Sequence, residues 1–285
     1  MGAPTLALNN GVVPFATTLL IAGSLLAPVG AGALSATPQP AAATAKTAIH
    51  NAPDSTKPKR CVSDAAIKRA RAYAVSRPGT VAFAVEERGQ LRSFRGGIPF
   101  RSASLVKAML LVADLRRHAA SRTPLNSGDR ARLRSMITLS DNTAATATFN
   151  AVGREAVLRV AKAAGMRRYT VGGYWGSSQL TASDQARFWS HLDALLPASQ
   201  KTYGRTLLRS ITHAQVWGGA PVARSHGFRT LFKSGWLPQP SGWFVHQGLR
   251  VERGSCRIGI AVLTGGGASM EAGVTSIRGV VERLI

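Results

Sequence analysis

Apolar and polar positions divide the chain into an apolar start, a polar stretch and a long patterned region. The patterned region opens with helical periodicity over residues 63–76. Strand-forming residues then predict two strands, over 80–86 and 90–94, which turn at Arg88-Gly89. The folded part of the chain is therefore expected to begin near residue 61 with a helix and a β-hairpin.

Helical patterns dominate the middle of the chain. Residues 105–115 are apolar on nearly all sides, which predicts a helix buried in the centre of the protein. Helical periodicity also predicts helices over 129–139, 142–152, 154–164 and 183–196. Asp184 is the fourth residue of a Thr181-x-x-Asp184 sequence, which resembles a capping box at the start of the last of these helices.

Strand patterns return after the helices, over 231–236, 243–252 and 256–264. Three glycines at 265–267 are predicted to break the last strand, and a final helix is predicted over 270–284. Strands at both ends with helices between them predict an α+β domain. Its terminal segments would meet in one antiparallel sheet, its middle would form a helical lobe, and a cleft would separate the two.

The first 33 residues carry no charged side chain, and their apolar run over 12–29 is followed by Ala31-Gly32-Ala33. This order is typical of a secretory signal peptide with a small-residue cleavage site, so we expect residues 1–33 to be removed on export. A retained membrane anchor is the alternative, because an 18-residue run lies at the lower limit for a bilayer span. Residues 34–60 are rich in Ala, Thr and Pro, which predicts a disordered linker before a single domain over 61–285.

The chain carries 36 basic and 13 acidic side chains, a formal net charge of +23. Such a field attracts polyanions, which are nucleic acid inside a cell and anionic envelope polymers or lipid headgroups outside it. The arginines are scattered, and no basic run interleaved with aromatic residues is present, so the pattern argues against nucleic-acid binding. We expect a basic surface that faces an anionic cell envelope.

Only two cysteines are present, Cys61 and Cys256. An even pair in an exported protein favours one disulfide, and two separate buried thiols are the alternative. No group of cysteines and histidines has the spacing of a zinc site, and no metal or organic cofactor is implied.

Three short strings carry the candidate chemistry: Ser104-Leu-Val-Lys107, Ser140-Asp141-Asn142 and Lys233-Ser234-Gly235. Among the eight lysines, only Lys107 follows a serine by three residues and only Lys233 begins a Lys-(Ser/Thr)-Gly sequence. Opening an amide requires a nucleophile, a base, an acid for the leaving nitrogen and donors for the oxyanion. The three strings contain residue types suited to all four tasks.

The first two strings supply the nucleophile and the proton transfers. Ser102 is a natural N-cap, which would place Ser104 in the first turn of the buried helix with Lys107 one turn later. Desolvation lowers the pKa of a buried lysine, so Lys107 is the candidate base for the Ser104 hydroxyl. Ser140 is expected to pass a proton to the departing amine.

Asn142 and Asp141 complete the second string with different expected roles. Asn142 is expected to contact the substrate amide and the lysine of the first string. Asp141 is expected to cap the following helix and not to act in catalysis.

The third string is suited to holding the substrate. The Lys233 ammonium would attract a substrate carboxylate, and the Ser234 hydroxyl would bind it. Gly235 leaves room for the substrate backbone. The N–H groups of Ser104 and Trp236 would form the oxyanion hole.

The three strings, in this order, resemble the class A β-lactamases and the related penicillin-binding D,D-peptidases over about residues 61–285. The resemblance implies a β-lactamase/transpeptidase-like fold, in which a five-stranded antiparallel sheet is flanked by N- and C-terminal helices and faces a helical lobe. The short segment between Lys107 and Ser140 implies that this lobe is shortened. The resemblance also implies a β-lactam or a peptidoglycan stem peptide as substrate, and an acyl-Ser104 intermediate.

One departure from the family pattern concerns deacylation. The resemblance places a water-activating glutamate on a loop between the second and third strings, yet residues 167–181 contain no acid. The acids between these strings are Asp141, Glu155, Asp184 and Asp193. Of the histidines at 213, 226 and 246, His246 is the best candidate for another base or a carboxylate-binding group, because it lies on the strand after the third string.

The expected function is therefore that of a secreted serine hydrolase which cleaves β-lactam or acyl-D-alanyl-D-alanine amides with slow deacylation. The alternative is a wall-associated binding or sensing protein that is acylated once and stays modified.

Overall fold

The computed structural model describes residues 60–285. The signal peptide expected over 1–33 and the linker expected over 34–60 lie outside the described residues, apart from Arg60. Over the described range, strands at both ends of the sequence form one antiparallel sheet and the middle is helical, so the predicted α+β class is confirmed.

The main sheet has five strands in the order β2-β1-β7-β6-β5. A separate pair, β3 and β4, lies beside it. The strands are β1 (Thr80–Glu87), β2 (Gln90–Phe94), β3 (Phe100–Arg101), β4 (Gln179–Leu180), β5 (Arg229–Gln239), β6 (Gly242–Arg253) and β7 (Cys256–Gly267). Because β1 pairs with β7, the two ends of the domain meet in the middle of the sheet, and β5 forms one of its edges.

The α-helices within residues 60–285 are α1 (Asp64–Val75), α2 (Lys107–Ala120), α3 (Ser127–Arg134), α4 (Asn142–Ala163), α5 (Ala182–Ser190), α6 (Leu192–Leu195), α7 (Lys201–Arg209), α8 (Gly219–Ser225) and α9 (Met270–Leu284). α9 packs on β6 and β7, and α1 and α8 pack against α9, whereas α5 packs on β1, β6 and β7. No helix in this range is both long enough and apolar enough to cross a membrane.

α2 is the central helix that the apolar sequence predicted. Its residues from 107 to 113 are almost completely buried, and α2 packs against α4. The short turn just before α2, over Ala103–Val106, packs against β5. Burial of a helix on all sides fixes its position on the scale of individual atoms, because interiors are close-packed. The start of α2 is therefore a rigid platform beside the sheet edge.

Several element boundaries differ from the predictions. β7 continues through the glycines to Gly267, because β1 and β6 both supply backbone partners there and Gly265 lets the Phe244 ring pack against the strand. The helix predicted over 129–139 ends as a π-helical turn over Ser135–Leu139, and the one predicted over 183–196 breaks at His191 between α5 and α6. α7 and α8 were not predicted.

Cys61 and Cys256 form a disulfide, which confirms the predicted pair. The bond joins the residues before α1 to the first residue of β7, across 195 positions of sequence. The Glu87 carboxylate accepts a hydrogen bond from the Cys61 N–H (3.0 Å), so the same corner is also held by β1. The disulfide and the sheet therefore fasten the N-terminal end of the domain to its C-terminal part.

Candidate active site

Ser104 lies in a 3₁₀ turn over Ala103–Val106, directly before α2. Ser102 precedes the turn, but its hydroxyl donates to the Trp175 carbonyl (3.2 Å) and makes no capping bond, unlike the predicted N-cap. Ser104 is partly exposed and lines a cavity of about 240 Å³ together with Asn142 and Trp236. A hydroxyl at this position is accessible to a small substrate.

Lys107 is the first residue of α2, and its side chain is completely buried. Its ammonium donates to the Ser140 carbonyl, the Ser140 Oγ (3.3 Å) and the Asn142 Oδ1 (2.8 Å). An ammonium has three donors, so these acceptors use all of them, and no hydrogen bond joins Lys107 to Ser104 within the described residues. Burial lowers the pKa of Lys107 to about 7, against the opposing charge of Asp141.

Ser140 lies between two lysines. Its Oγ accepts from Lys107 and, at 3.1 Å, from the Lys233 Nζ. Ser140 has a φ of 61°, a left-handed conformation that is unusual for a residue with a side chain, where the π-helical turn ends and α4 begins. Asp141 caps α4, because its carboxylate accepts from the Ala144 N–H (2.6 Å). Strained backbone at such a junction is typical of functional sites.

Lys233 extends from β5 to the same hydroxyl. Its side chain is completely buried, and its ammonium donates to the Ser140 Oγ (3.1 Å) and the Ser234 carbonyl (3.0 Å). Burial lowers the pKa of Lys233 to about 7, and the nearby Lys107 charge lowers it further. Two amines that share one hydroxyl titrate as a coupled pair, so protonation of one disfavours protonation of the other.

Ser234 and Gly235 occupy opposite faces of β5. The Ser234 hydroxyl is buried and accepts from Gln247 Nε2 (3.0 Å) on β6, on the side of α8, and it does not line the cavity. Gly235 faces the 3₁₀ turn, where a Cβ would lie 2.7 Å from the Leu105 nitrogen and 2.9 Å from the Ser104 nitrogen. Only glycine allows β5 to pass this close to the Ser104 backbone.

The structure does not bring His246 into the cavity. Its ring is buried in β6, where one nitrogen bonds the Arg101 carbonyl (3.0 Å) and the other accepts from the Thr264 N–H (3.3 Å). Burial lowers the pKa of His246 to about 4, against the opposing effect of backbone hydrogen bonds with Arg101 and Val245, so the ring is neutral at pH 7. His213 and His226 are exposed away from the cavity lining. His246 therefore has a structural position between strands and no free nitrogen for substrate.

The acids between the second and third strings also lie outside the cavity lining. Asp184 is buried, and its two oxygens accept from the N–H groups of Arg167 (2.7 Å) and Arg168 (2.9 Å). Half of the predicted capping box is present, since the Thr181 hydroxyl accepts from the Asp184 N–H, but the carboxylate holds the preceding loop instead of closing the box. Glu155 is exposed on α4, and Asp193 pairs with arginines.

Two residues of the cavity, Tyr174 and Trp175, were not singled out from the sequence. They lie on the loop that Asp184 anchors, and Trp175 opens a 3₁₀ turn over Trp175–Ser177. The Trp175 ring centroid is 4.6 Å from the Lys107 Nζ. The sequence signal was a pair of adjacent aromatic residues inside a stretch of Gly and Ser over 172–178, because large rings in such a loop indicate a contact with something else.

Known structures share this fold. The β-lactamase of Sphaerobacter thermophilus superposes with a TM-score of 0.65 and 19% identity, covering 77% of this chain and 94% of that one. A class A β-lactamase of Bacteroides cellulosilyticus gives 0.67 and 14%, with coverage of 77% and 95%. The structure called PBP-A gives 0.66 and 15%, with coverage of 79% and 96%. At these identities the likeness shows the β-lactamase/transpeptidase-like fold.

The sequence itself identifies the family. The model of the β-lactamase enzyme family matches residues 130–284, which is more than half of the chain. This protein therefore belongs to the β-lactamase enzyme family, as the three strings predicted. Among curated proteins, none has a matching sequence.

Proposed function

We propose that this protein is an extracytoplasmic serine hydrolase that opens β-lactam or acyl-D-alanyl-D-alanine amides through an acyl-Ser104 intermediate. One observation carries the proposal. The Ser140 hydroxyl lies 3.3 Å from one buried lysine amine and 3.1 Å from another, beside the cavity that Ser104 lines. Burying two amines is costly, and such groups are retained where proton transfer requires them.

Proton transfer begins with Lys107 in its neutral form. A neutral amine has two N–H groups and a lone pair, so Lys107 gives up one of its three bonds on deprotonation and offers the lone pair to Ser104. As the proton moves to Lys107, the Ser104 Oγ bonds to the substrate carbonyl carbon. The amide C–N bond then breaks, and its nitrogen takes the Ser140 hydroxyl proton, which Lys107 replaces.

Substrate binding is assigned to the groups around these atoms. The Lys233 charge attracts the substrate carboxylate, and Asn142, which lines the cavity, contacts the substrate amide. The Ser234 hydroxyl was expected to bind this carboxylate, but it is buried on the opposite face of β5, so the proposal gives it no contact with substrate. The N–H groups of Ser104 and Trp236 stabilise the oxyanion, because the first N–H groups of a helical turn have no partner within it. Gly235 lets the β5 backbone approach this point.

Deacylation is slow in this proposal. No carboxylate of the described residues lines the cavity or hydrogen-bonds to Lys107, Ser140 or Lys233, so an acyl-enzyme has no acid to activate water. The same observation favours a second function, that of a wall-associated sensor or binding protein that is acylated once. Both functions use the same acylation chemistry.

The proposed location is outside the cytoplasm. A disulfide forms and persists in oxidising compartments, and the apolar segment over 1–33 has the order of a signal peptide. In this proposal residues 34–60 are a linker and residues 61–285 the catalytic domain. The formal charge of +23 suits a surface close to anionic envelope polymers.

The test is to incubate residues 34–285 with a penicillin, a chromogenic cephalosporin or a D-alanyl-D-alanine peptide. Intact mass, product absorbance and free D-alanine are followed over time. An adduct on Ser104 is expected, with turnover marking an enzyme and a persistent adduct marking a sensor. Ser104→Ala removes the adduct, whereas Ser121→Ala, at the exposed end of α2, keeps it. The absence of all three, namely an adduct, product formation and D-alanine release, would refute the proposal.

A further inference from the structure

Trp175 is held against the candidate base by three separate contacts. Its carbonyl accepts from the hydroxyl of Ser102 (3.2 Å), two residues before Ser104. Its indole N–H donates to the Thr146 Oγ1 (3.1 Å) on α4. Its ring centroid lies 4.6 Å from the Lys107 Nζ. Trp175 is buried, with 8% of its surface exposed.

The Trp175 ring covers the Lys107 amine on the side of the cavity. Ser140 and Asn142 contact the amine by hydrogen bonds, and the charged groups near it are Lys233 on β5 and Asp141 at the start of α4. The Asp141 carboxylate is engaged with the Ala144 N–H. Trp175 both lines the cavity and contacts the amine, so its ring separates Lys107 from solvent there.

A ring face next to a lysine has two opposing effects. Its electron cloud favours the ammonium by about 0.5–2 kcal/mol. Excluding water from a fully buried amine disfavours the ammonium by up to about 3–5 pKa units, which is the larger effect. The covering ring therefore favours the neutral amine that acylation requires. Trp175 also lines the same cavity as Ser104, so its ring takes up space from which water would approach an acylated serine.

We propose that Trp175 is a positioning residue that shields Lys107 and acyl-Ser104 from water, so that it promotes acylation and prolongs the life of the acyl-enzyme. The proposal rests on the function proposed above. Loss of this one side chain is therefore expected to slow acylation and to accelerate deacylation. Removing the ring admits water, which solvates and so stabilises the Lys107 ammonium, and this slows acylation at neutral pH. Water also hydrolyses the ester. Its oxygen bonds to the acyl carbon, the bond from that carbon to the Ser104 Oγ breaks, and one water proton passes to this Oγ while the other leaves with the free acid.

The experiment compares Trp175→Ala and Trp175→Leu with the parent protein. Adduct formation with benzylpenicillin is followed by intact mass between pH 5 and 10, and adduct decay is followed after the free drug is removed. For Trp175→Ala, the pH midpoint of acylation rises by about one unit or more, which is about a tenfold loss of neutral amine, and decay accelerates about tenfold. Leucine keeps an apolar cover but lacks the electron cloud that favours the ammonium, so the midpoint of Trp175→Leu stays at or below the parent value.

A matched control is Trp243→Ala, which removes a partly buried tryptophan of β6 outside the cavity lining. It is expected to leave midpoint and decay at the parent values. Thr146→Val removes the acceptor of the indole N–H at equal volume and is the second variant if Trp175→Ala fails to fold. Its acylation midpoint is expected to rise and its adduct decay to accelerate, both by less than in Trp175→Ala. Parent values in whichever of the two variants folds would overturn the proposal.

Titration of Lys107 without any β-lactam separates this inference from the proposed function. Lysine ¹³Cε shifts are recorded against pH, and Lys107 is assigned by its absence in Lys107→Arg. Suppose that Lys107 titrates near 7 in the parent protein, that Trp175→Ala raises its pKa, and that Ser104 is never acylated. The shielding of Lys107 then stands and the proposed hydrolase function fails. If acylation proceeds normally but Trp175→Ala leaves the titration and the decay unchanged, the inference alone fails.

Discussion

Lys107 carries the strongest physical constraint among single residues, because its ammonium is fully buried and bonded to three oxygens. Its pKa of about 7 means that acylation by the parent protein rises as pH increases through about 7. Lys107→Arg keeps the charge but stays protonated at every accessible pH, so acylation is expected to fall by at least about a thousandfold. Adduct formation by intact mass between pH 5 and 9 measures both effects.

Lys68→Arg, on the exposed face of α1, is the control and keeps the parent rate. A parent profile that rises only near pH 10 would contradict the depressed pKa.

The sequence predicted which residue types form the site better than it predicted which neighbours their side chains contact. The apolar neighbours of Lys107 indicated its burial, and the structure confirms that burial. The pairing of both lysines with Ser140, the inward position of Ser234 and the enclosed ring of His246 depend on which strand faces which helix. Local spacing does not contain that information.

At the level of elements, the close approach of β5 to the 3₁₀ turn before α2 sets the geometry of the site. Gly235→Ala places a Cβ within 3.0 Å of two backbone nitrogens, those of Ser104 and Leu105, so β5 or the turn must move. A displacement of about 1 Å at a reacting group costs about a hundredfold in rate. We expect Gly235→Ala to fold and to lose about that factor in acylation, measured by adduct formation.

Gly267→Ala is the matched strand control, because a Cβ there meets nothing closer than 3.8 Å. Unchanged acylation in Gly235→Ala would show that the site tolerates separation of these two elements.

The longer elements at both ends of the domain were predicted, and two short helices, α7 and α8, were missed. The terminal helix and the hairpin match their predicted ranges closely. α7 contains Gly204, which packs against Leu115 and Leu196, and α8 begins with Gly219 against Val281. Tertiary contacts stabilise these short helices, because helices of fewer than about 12 residues are marginal on their own.

For the molecule as a whole, the disulfide is the longest-range restraint, since it spans 195 positions. Loop-closure entropy for that span corresponds to about 5 kcal/mol of free energy of unfolding. The double variant Cys61→Ser/Cys256→Ser is expected to lose stability of that order and to unfold at lower denaturant. The control is the parent protein unfolded in the presence of a reductant. Equal denaturant midpoints for the oxidised parent and the double variant would contradict the expectation.

The domain class, the disulfide and the family followed from sequence because each depends on order along the chain and on composition. Packing between the helical lobe and the sheet did not follow from it, since it depends on contacts between distant residues.

The pairing of β1 with β7 has a consequence for how the protein is made. A ribosome completes β1 long before β7. The hairpin of β1 and β2 therefore lacks β7, the central strand that pairs with β1, while some 170 residues are translated. Cys61 likewise has no disulfide partner until Cys256 has been made, 195 residues later. Oxidation of this pair is thus a late event, and a chain cut short before β7 can close neither the sheet nor the bridge.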